Sequence, residues 1–202
     1  MDKFSARAAP RFHVSTHLSP GADIDLPERA SKHVAVLRLR QGDEITLFNG
    51  EGGEYRAVLT RLARGHAGAR VTGWIEVERE SQLDITLAQC ISSGDRMDLT
   101  LQKATELGVR TIVPLESERS VVRLSAERAE RRLAHWRNVV LAACEQCGRN
   151  KAPPVLAFEP LHTWLMTVAG QGAPATRVLL SPDAGGGFSS APRNQKVLLL
   201  VG

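Results

Sequence analysis

The sequence predicts a chain of two domains, a small β-rich domain followed by an α/β domain, on three observations. Residues 44 to 78 hold several short strand-like runs without an intervening helix. From Ile85 onward, apolar strand runs alternate with helical stretches, the signature of βαβ units. Near the end, the run VLLLV is apolar at every position, as a strand buried on both faces of a parallel sheet must be.

Length and composition agree. The 202 residues are 43% hydrophobic and 24% charged, which allows a proper core and excludes a disordered chain. No apolar run approaches a membrane span and no signal-peptide core opens the chain, so a cytoplasmic location without membrane partners is expected. Three cysteines without a secretion signal point to reduced thiols. The formal charge of +4 permits nucleic-acid binding without requiring it. Arg outnumbers Lys by 21 to 5, which suits planar phosphate and base contacts but follows equally from codon composition.

Taken in order, the first ten residues read as a frayed lead-in, and Arg11 to Thr16 alternates as a first strand. Ser19-Pro20-Gly21 is a turn. Pro27 opens a helix running to Val36, with Ala30, His33, Val34 and Leu37 on one side. EITLFN, the glycine-rich turn Gly50 to Gly53, and EYRAVLTRL form a hairpin, and ARVTGWIEVE follows as a further strand after the turn ARGHAG. These strands suggest a small β-barrel or compact sheet over residues 1–77. The polar run Glu78 to Gln82 is the best linker, placing the α/β domain at 78–202.

The α/β domain is organised by Ser93 to Arg119. Apolar runs Ile85–Ile91 and Thr111–Leu115 flank a helix with an N-cap candidate at Asp95 and apolar positions Met97, Leu101, Ala104 and Leu107. Gly108 suits the helix C-cap, and the unit is a right-handed βαβ crossover. After Ser120–Leu124, a long helix begins near Ser125 with the stripe Ala129, Leu133, Trp136, Val140, Ala143 and Cys147. It ends at Gly148 before Pro153-Pro154. A further helix spans Leu161 to Val168. RVLLSP and KVLLLVG are the last strands, separated by the loop AGGGFSSAPRNQ.

Several residue groups admit both a bland and a functional reading. Lys103 and Glu106, three apart on a helix face, form an ordinary surface ion pair or belong to a site. Cys144-Glu-Gln-Cys147 is a CxxC in the last turns of its helix, where the dipole does not activate a thiol, so buried packing is favoured over redox or metal chemistry. No second CxxC or HxxxH completes a zinc set, and no metal is expected. His33 reads as a packing residue. The AGGG tract lacks Rossmann spacing and reads as a loop rather than a phosphate cradle. Glu145, Gln146 and Arg149 lie at the end of the long helix. Arg149 there either satisfies helix carbonyls or, with Glu118 and Arg119 beyond the second strand of the βαβ unit, faces a substrate phosphate.

The stretches GDRMDLTLQKATELGVRTIVPL, SERSVV and HWRNVVLAACEQCGRNKAPPV together resemble the RsmE family of bacterial ribosomal RNA methyltransferases. The family's HVLRL-like segment appears as His33-Val-Ala-Val-Leu37-Arg38-Leu39-Arg40, followed by GDEITLFNGEGGEY, so the resemblance covers nearly the whole chain. It implies an α+β/α/β two-domain chain: a PUA-like β-barrel that helps bind RNA, then a SPOUT α/β domain with a C-terminal trefoil knot. It implies S-adenosylmethionine as cofactor, homodimerisation, and methylation of N3 of a uridine in small-subunit ribosomal RNA. An RNA- or ribosome-binding module that lacks catalysis is the alternative.

Carried over by motif, Arg11, Lys32, Arg38, Arg40, Lys103, Glu106 and Gln146 are candidate RNA contacts. Glu118, Arg119 and Arg149 are catalytic candidates, and Leu180, Ser181, Pro182, Leu200, Val201 and Gly202 are cofactor-binding candidates. In the family, the strand matching VLLLVG continues into a Pro-Glu-Gly-Gly loop and a knotted segment. A sequence stopping at Gly202 is expected to lack much of that pocket and to bind the cofactor poorly.

Overall fold

In the computed structural model, residues 9–118, 125–170, 176–181, 183 and 196–202 are described. The chain divides into two compact units. The first comprises Met1–Arg79 with Glu145–Lys151, and the second Glu80–Cys144 with Ala152–Gly202.

The first unit is a five-stranded sheet of β1 (Arg11–His13), β2 (Asp23–Asp25), β3 (Glu44–Phe48), β4 (Glu54–Ala63) and β5 (His66–Ile75), with one helix, α1 (Glu28–Val36). The strand order is β1-β3-β4-β5-β2, with β1 parallel to β3 and the other pairings antiparallel. The period-2 pattern of β3 and β4 sends Ile45, Leu47, Ala57 and Leu59 inward, where they join Phe12, Val14, Leu18, Val34 and Val71 in one core. Ala30, Ser31 and Val34 are the buried residues of α1. Buried Ser31 is satisfied twice, donating to Leu26 O and accepting from Ala67 N–H.

Two sequence expectations shift here. The first strand ends at His13 rather than Thr16, although Val14 N–H still reaches Phe48 O at 3.0 Å. Leu37 is 43% exposed, because it sits at the C-cap of α1, where the helical stripe no longer applies.

The second unit is a parallel sheet of β6 (Asp84–Cys90), β7 (Thr111–Glu116), β8 (Glu159–Pro160), β9 (Thr176–Leu180) and β10 (Lys196–Val201), in the order β8-β7-β6-β10-β9. Its helices are α2 (Gly94–Glu106), α3 (Ala126–Cys147) and α4 (Leu161–Gly170), the last residues of α3 belonging to the first unit. The β6–α2–β7 crossover matches the βαβ reading. Met97, Leu101 and Ala104 are buried as spaced, but Leu107 is 79% exposed. The stripe continues through buried Thr105 to Gly108, which leaves Leu107 off the inner face at the C-cap. Ser93, not Asp95, is the N-cap of α2.

In α3, Leu133, Trp136, Val140 and Ala143 are buried, while Ala129 and Cys147 at the ends of the expected stripe are half-buried. The α4 side chain Trp164 packs with Ala88, Cys90, Val113 and Leu115 and the partly buried Leu198 and Leu200, covering one sheet face. The apolar positions of β10 are half-buried rather than fully buried, although β6 and β9 flank the strand. The short strands β2 and β8 were not expected. Ser120–Leu124 and the whole loop AGGGFSSAPRNQ fall outside the described residues.

Candidate functional site

Within the first unit, one buried carboxylate gathers the local charge. Glu54 opens β4, is 7% exposed and is ion-paired to both Arg11 and Arg79, the latter at 2.8 Å. Burial pushes its carboxyl upward, but the hydrogen bonds from Arg79 and Arg11 outweigh that and hold it below the usual carboxylate range. Arg11 also donates to Gly148 O at 3.1 Å, Arg149 O at 3.2 Å and Asn150 Oδ1 at 2.7 Å, and lies 5.0 Å from the Phe48 ring centroid. Arg79 reaches the same Gly148 carbonyl at 3.3 Å. Arg11 and Arg79 thus serve the carbonyls just beyond the end of α3.

A second carboxylate, Glu145, pairs with Arg29 and accepts the His13 N–H at 3.0 Å. Its Oε2 lies 3.8 Å from His33 Nδ1. His33 also packs edge-on against Phe12 with ring centroids 5.5 Å apart, in keeping with a packing role. Burial and the nearby Arg29 charge lower the His13 pKa against the opposing pull of Glu145. Glu54 and Asn150 carry this network, and sequence reasoning singled out neither. Each is one polar residue whose partners lie far away along the chain, so no local spacing signals it.

The expected RNA contacts separate by availability. Arg11 is committed to the network. Lys32 pairs with Glu28 at 2.6 Å and Lys103 with Glu106 at 2.8 Å, both as helix-face ion pairs. Gln146 is exposed on the last turn of α3. Arg38 and Arg40 are exposed and have no ion-pair partner among the described residues. Of the catalytic candidates, Glu118 is exposed just after β7 in the second unit. Arg149 belongs to the first unit and is 4% exposed, not at an open rim. Arg119 lies outside the described residues.

The expected cofactor residues meet by register. Val201 is the partner of both Gln89 on β6 and Leu180 on β9, which aligns the C-terminal ends of three parallel strands. Leu200 sits one position earlier, opposite Ala88 and Leu179. Leu180 is 37% exposed and Leu179 63%. Ser181 and Gly202 follow at the strand ends, and Pro182 lies outside the described residues. Incompletely covered aliphatic side chains at the carboxyl ends of parallel strands are where open α/β sheets receive ligands. An apolar, part-open edge fits a flat heteroaromatic group such as adenine.

Two open grooves are also present. One of about 480 Å³ runs beside β2, but its arginines are already neutralised, Arg61 by Asp25 and Arg70 by Asp23. Another, of about 440 Å³, lies between α2 and α3 and is lined by Asp95, Asp98, Leu99 and Val139. Cys90, Cys144 and Cys147 are free thiols. Among the described residues no group of three or more His, Cys, Asp or Glu is arranged to hold a metal, and no helix is long and apolar enough to cross a membrane.

Comparison with known proteins agrees with both units. Residues 79–202 match the RNA methyltransferase domain family, and residues 26–71 match the RNA methyltransferase PUA domain. The structure of ribosomal RNA small subunit methyltransferase E from Neisseria gonorrhoeae, bound to S-adenosylmethionine, is similar with a TM-score of 0.89 and 41% identity, covering 96% of this chain and 79% of that one. A Legionella pneumophila methyltransferase in complex with the same cofactor has a TM-score of 0.90 and 35% identity, with the same coverage. Methyltransferase E of Bacillus subtilis is 30% identical over 61% of this chain and 48% of its own length. That of Buchnera aphidicola from Schizaphis graminum is 28% identical over 96% of this chain and 78% of its own. The chain thus spans about half the length of the first of these relatives and about four fifths of the second. From a PUA-type unit, a parallel-sheet methyltransferase unit and this likeness along its length, the chain belongs to the RsmE family of small-subunit ribosomal RNA methyltransferases.

Proposed function

We propose that this chain transfers a methyl group from S-adenosylmethionine to small-subunit ribosomal RNA, at N3 of a uridine. The observation that carries the reading is the convergence of the β6, β9 and β10 carboxyl ends in a chain similar to enzymes crystallised with that cofactor. Residues 1–77 are read as the PUA-like RNA-binding domain and 78–202 as a SPOUT domain of trefoil-knot type, working as a cytoplasmic homodimer.

Leu180, Ser181, Pro182, Leu200, Val201 and Gly202 would hold the cofactor, the aliphatic side chains against adenine and the strand-end backbone toward polar groups. When bound, S-adenosylmethionine supplies an electrophilic methyl on its sulfonium sulfur. The residues must then manage the uracil. Its N3 proton has to leave so that the nitrogen lone pair is free, and negative charge spreads onto O2 and O4. Glu118 and Arg119 are kept as candidates for that chemistry, with neither singled out as the base, whereas Arg149, buried in the first unit, is given no part in it. Lys32, Arg38, Arg40 and Gln146 of the first unit and Lys103 and Glu106 of the second are read as RNA-facing, each on its own unit, whereas Arg11 is occupied by its buried network.

The test is methyl transfer from labelled S-adenosylmethionine to small ribosomal subunits lacking the modification, with mass mapping of the product nucleoside. Appearance of N3-methyluridine supports the reading. RNA binding with no transfer at saturating cofactor overturns it in favour of a binding module.

A further inference from the structure

Helices α1 and α2 end in the same backbone motif with different residues at its critical position. In α2, Gly108 has φ of +94°, its N–H bonds to Thr105 O, and Val109 N–H bonds to Ala104 O. In α1, Arg38 has φ of +55°, its N–H bonds to Ala35 O, and Leu39 N–H bonds to Val34 O. Both are Schellman caps, whose left-handed residue is usually glycine because a Cβ is disfavoured there. Among the described residues Arg38 alone carries a side chain at positive φ. Such strain persists where the surroundings enforce it, and it gathers at functional positions.

The surroundings do enforce it. Leu39 packs against the core of the first unit. Asp43 accepts the Arg40 N–H at 2.7 Å, and Gly42 N–H bonds to Leu59 O at 2.8 Å. The turn is thereby fixed with Leu39 inward and Arg38 and Arg40 outward on either side of it. Just before them, Val36 is 76% and Leu37 43% exposed. The acidic groups beside the turn are Asp43, engaged with the Arg40 backbone, and exposed Glu44. Elsewhere in the unit, Arg11, Arg29, Arg61, Arg70 and Arg79 are each neutralised by a carboxylate, and exposed Arg56 and Arg64, also without an ion-pair partner among the described residues, are not beside Val36 and Leu37 in sequence. Arg38 and Arg40 therefore present positive charge beside bare apolar surface, on a turn held rigid at a cost in strain.

We propose that the turn Val36–Arg40 grips an unpaired stretch of RNA, with Val36 and Leu37 against an unstacked base and the Arg38 and Arg40 guanidiniums on the flanking phosphates. The inference rests on the RNA-modifying reading above and adds the strand state of the RNA at this turn. Charge complementarity selects a polyanion. The apolar pair selects against a duplex, whose bases are stacked and whose deep major groove excludes side chains. An unpaired base offers its face to exposed hydrocarbon, and the rigid turn lowers the ordering cost of binding.

The experiment is fluorescence anisotropy of the full chain with a labelled unpaired oligoribonucleotide and with a hairpin duplex of the same composition, over a salt series. The parent should prefer the unpaired probe. Arg38→Gly, which suits the local φ, should keep its thermal midpoint at or above the parent's while the salt slope for the unpaired probe falls by about 0.7, one phosphate contact. Arg40→Gln should lower the slope similarly. Val36→Ser with Leu37→Ser should weaken the unpaired complex by about tenfold, leaving the slope and duplex binding unchanged. Unaltered binding of the unpaired probe by all three variants overturns the proposal, as does a parent preference for duplex. A parent that binds neither probe at low salt overturns the RNA-modifying reading itself.

Discussion

The Arg11 guanidinium donates to Asn150 Oδ1 at 2.7 Å, tying the first strand to a residue 139 positions later. Asn150 is fully buried, and its Nδ2 donates to Val77 O at 3.2 Å. Asn150→Ala should therefore cost about 2 kcal/mol, since it removes the shortest of the bonds from this Arg11 nitrogen and leaves the Val77 carbonyl without its amide donor. Urea unfolding measures this. A loss below a few tenths would show that water replaces the amide.

Glu54 sets an acid limit on stability. Its folded-state pKa lies below the unfolded value, so the unfolded chain takes up the proton first. The stabilisation is complete above the ordinary carboxylate range and is lost as pH falls through the depressed folded pKa. Glu54→Gln should cost about 2 kcal/mol at neutral pH, a buried-pair value reduced because Arg79 is partly solvated. It should also flatten the acid limb of a thermal-midpoint profile. A limb as steep as the parent's would assign it to other groups.

Gly108→Ala should destabilise by about 2 kcal/mol, from the left-handed backbone and from a Cβ that would lie 2.9 Å from Ser81 Cβ. Chemical denaturation checks it, and a neutral result would mean that the linker near Ser81 yields readily.

Much of this architecture was legible because it is periodic. β6–α2–β7 and the middle of α3 follow from apolar spacing and a glycine at the cap. Other features were not, for identifiable reasons. β2 has three residues with an aspartate at each end, and β8 has two ending in proline, so neither carries a strand pattern. The Glu54 network depends on partners brought together only by the folded sheet. Arg11 illustrates the same limit, since nothing near it in the sequence signals that it meets the Gly148 and Arg149 carbonyls just beyond α3.

Lys103→Ala should change stability by less than about 0.5 kcal/mol, because the pair with Glu106 is solvated. Any larger loss appears only in methyl transfer if Lys103 serves the substrate. Equal small effects on both measurements would confine it to the helix surface.

Alkylation of the native protein should modify Cys147 first, since Cys90 and Cys144 are buried and burial raises the Cys90 thiol pKa. Peptide mass spectrometry follows this by site. Rapid parallel labelling of Cys144 and Cys147 would contradict the packing of α3.

The membership of Glu145–Lys151 in the first unit has a consequence for synthesis. As the chain emerges from the ribosome, residues up to Arg79 are available long before the carbonyls and the Asn150 amide that Arg11 requires. The first unit must wait, with Arg11 held only by Glu54 and the Phe48 ring, until α3 has been made. β6 waits longer still for β10, its neighbour in the sheet. Vectorial folding here is an interleaved process, and a fragment cut at the apparent linker should be a trapped intermediate rather than a finished domain.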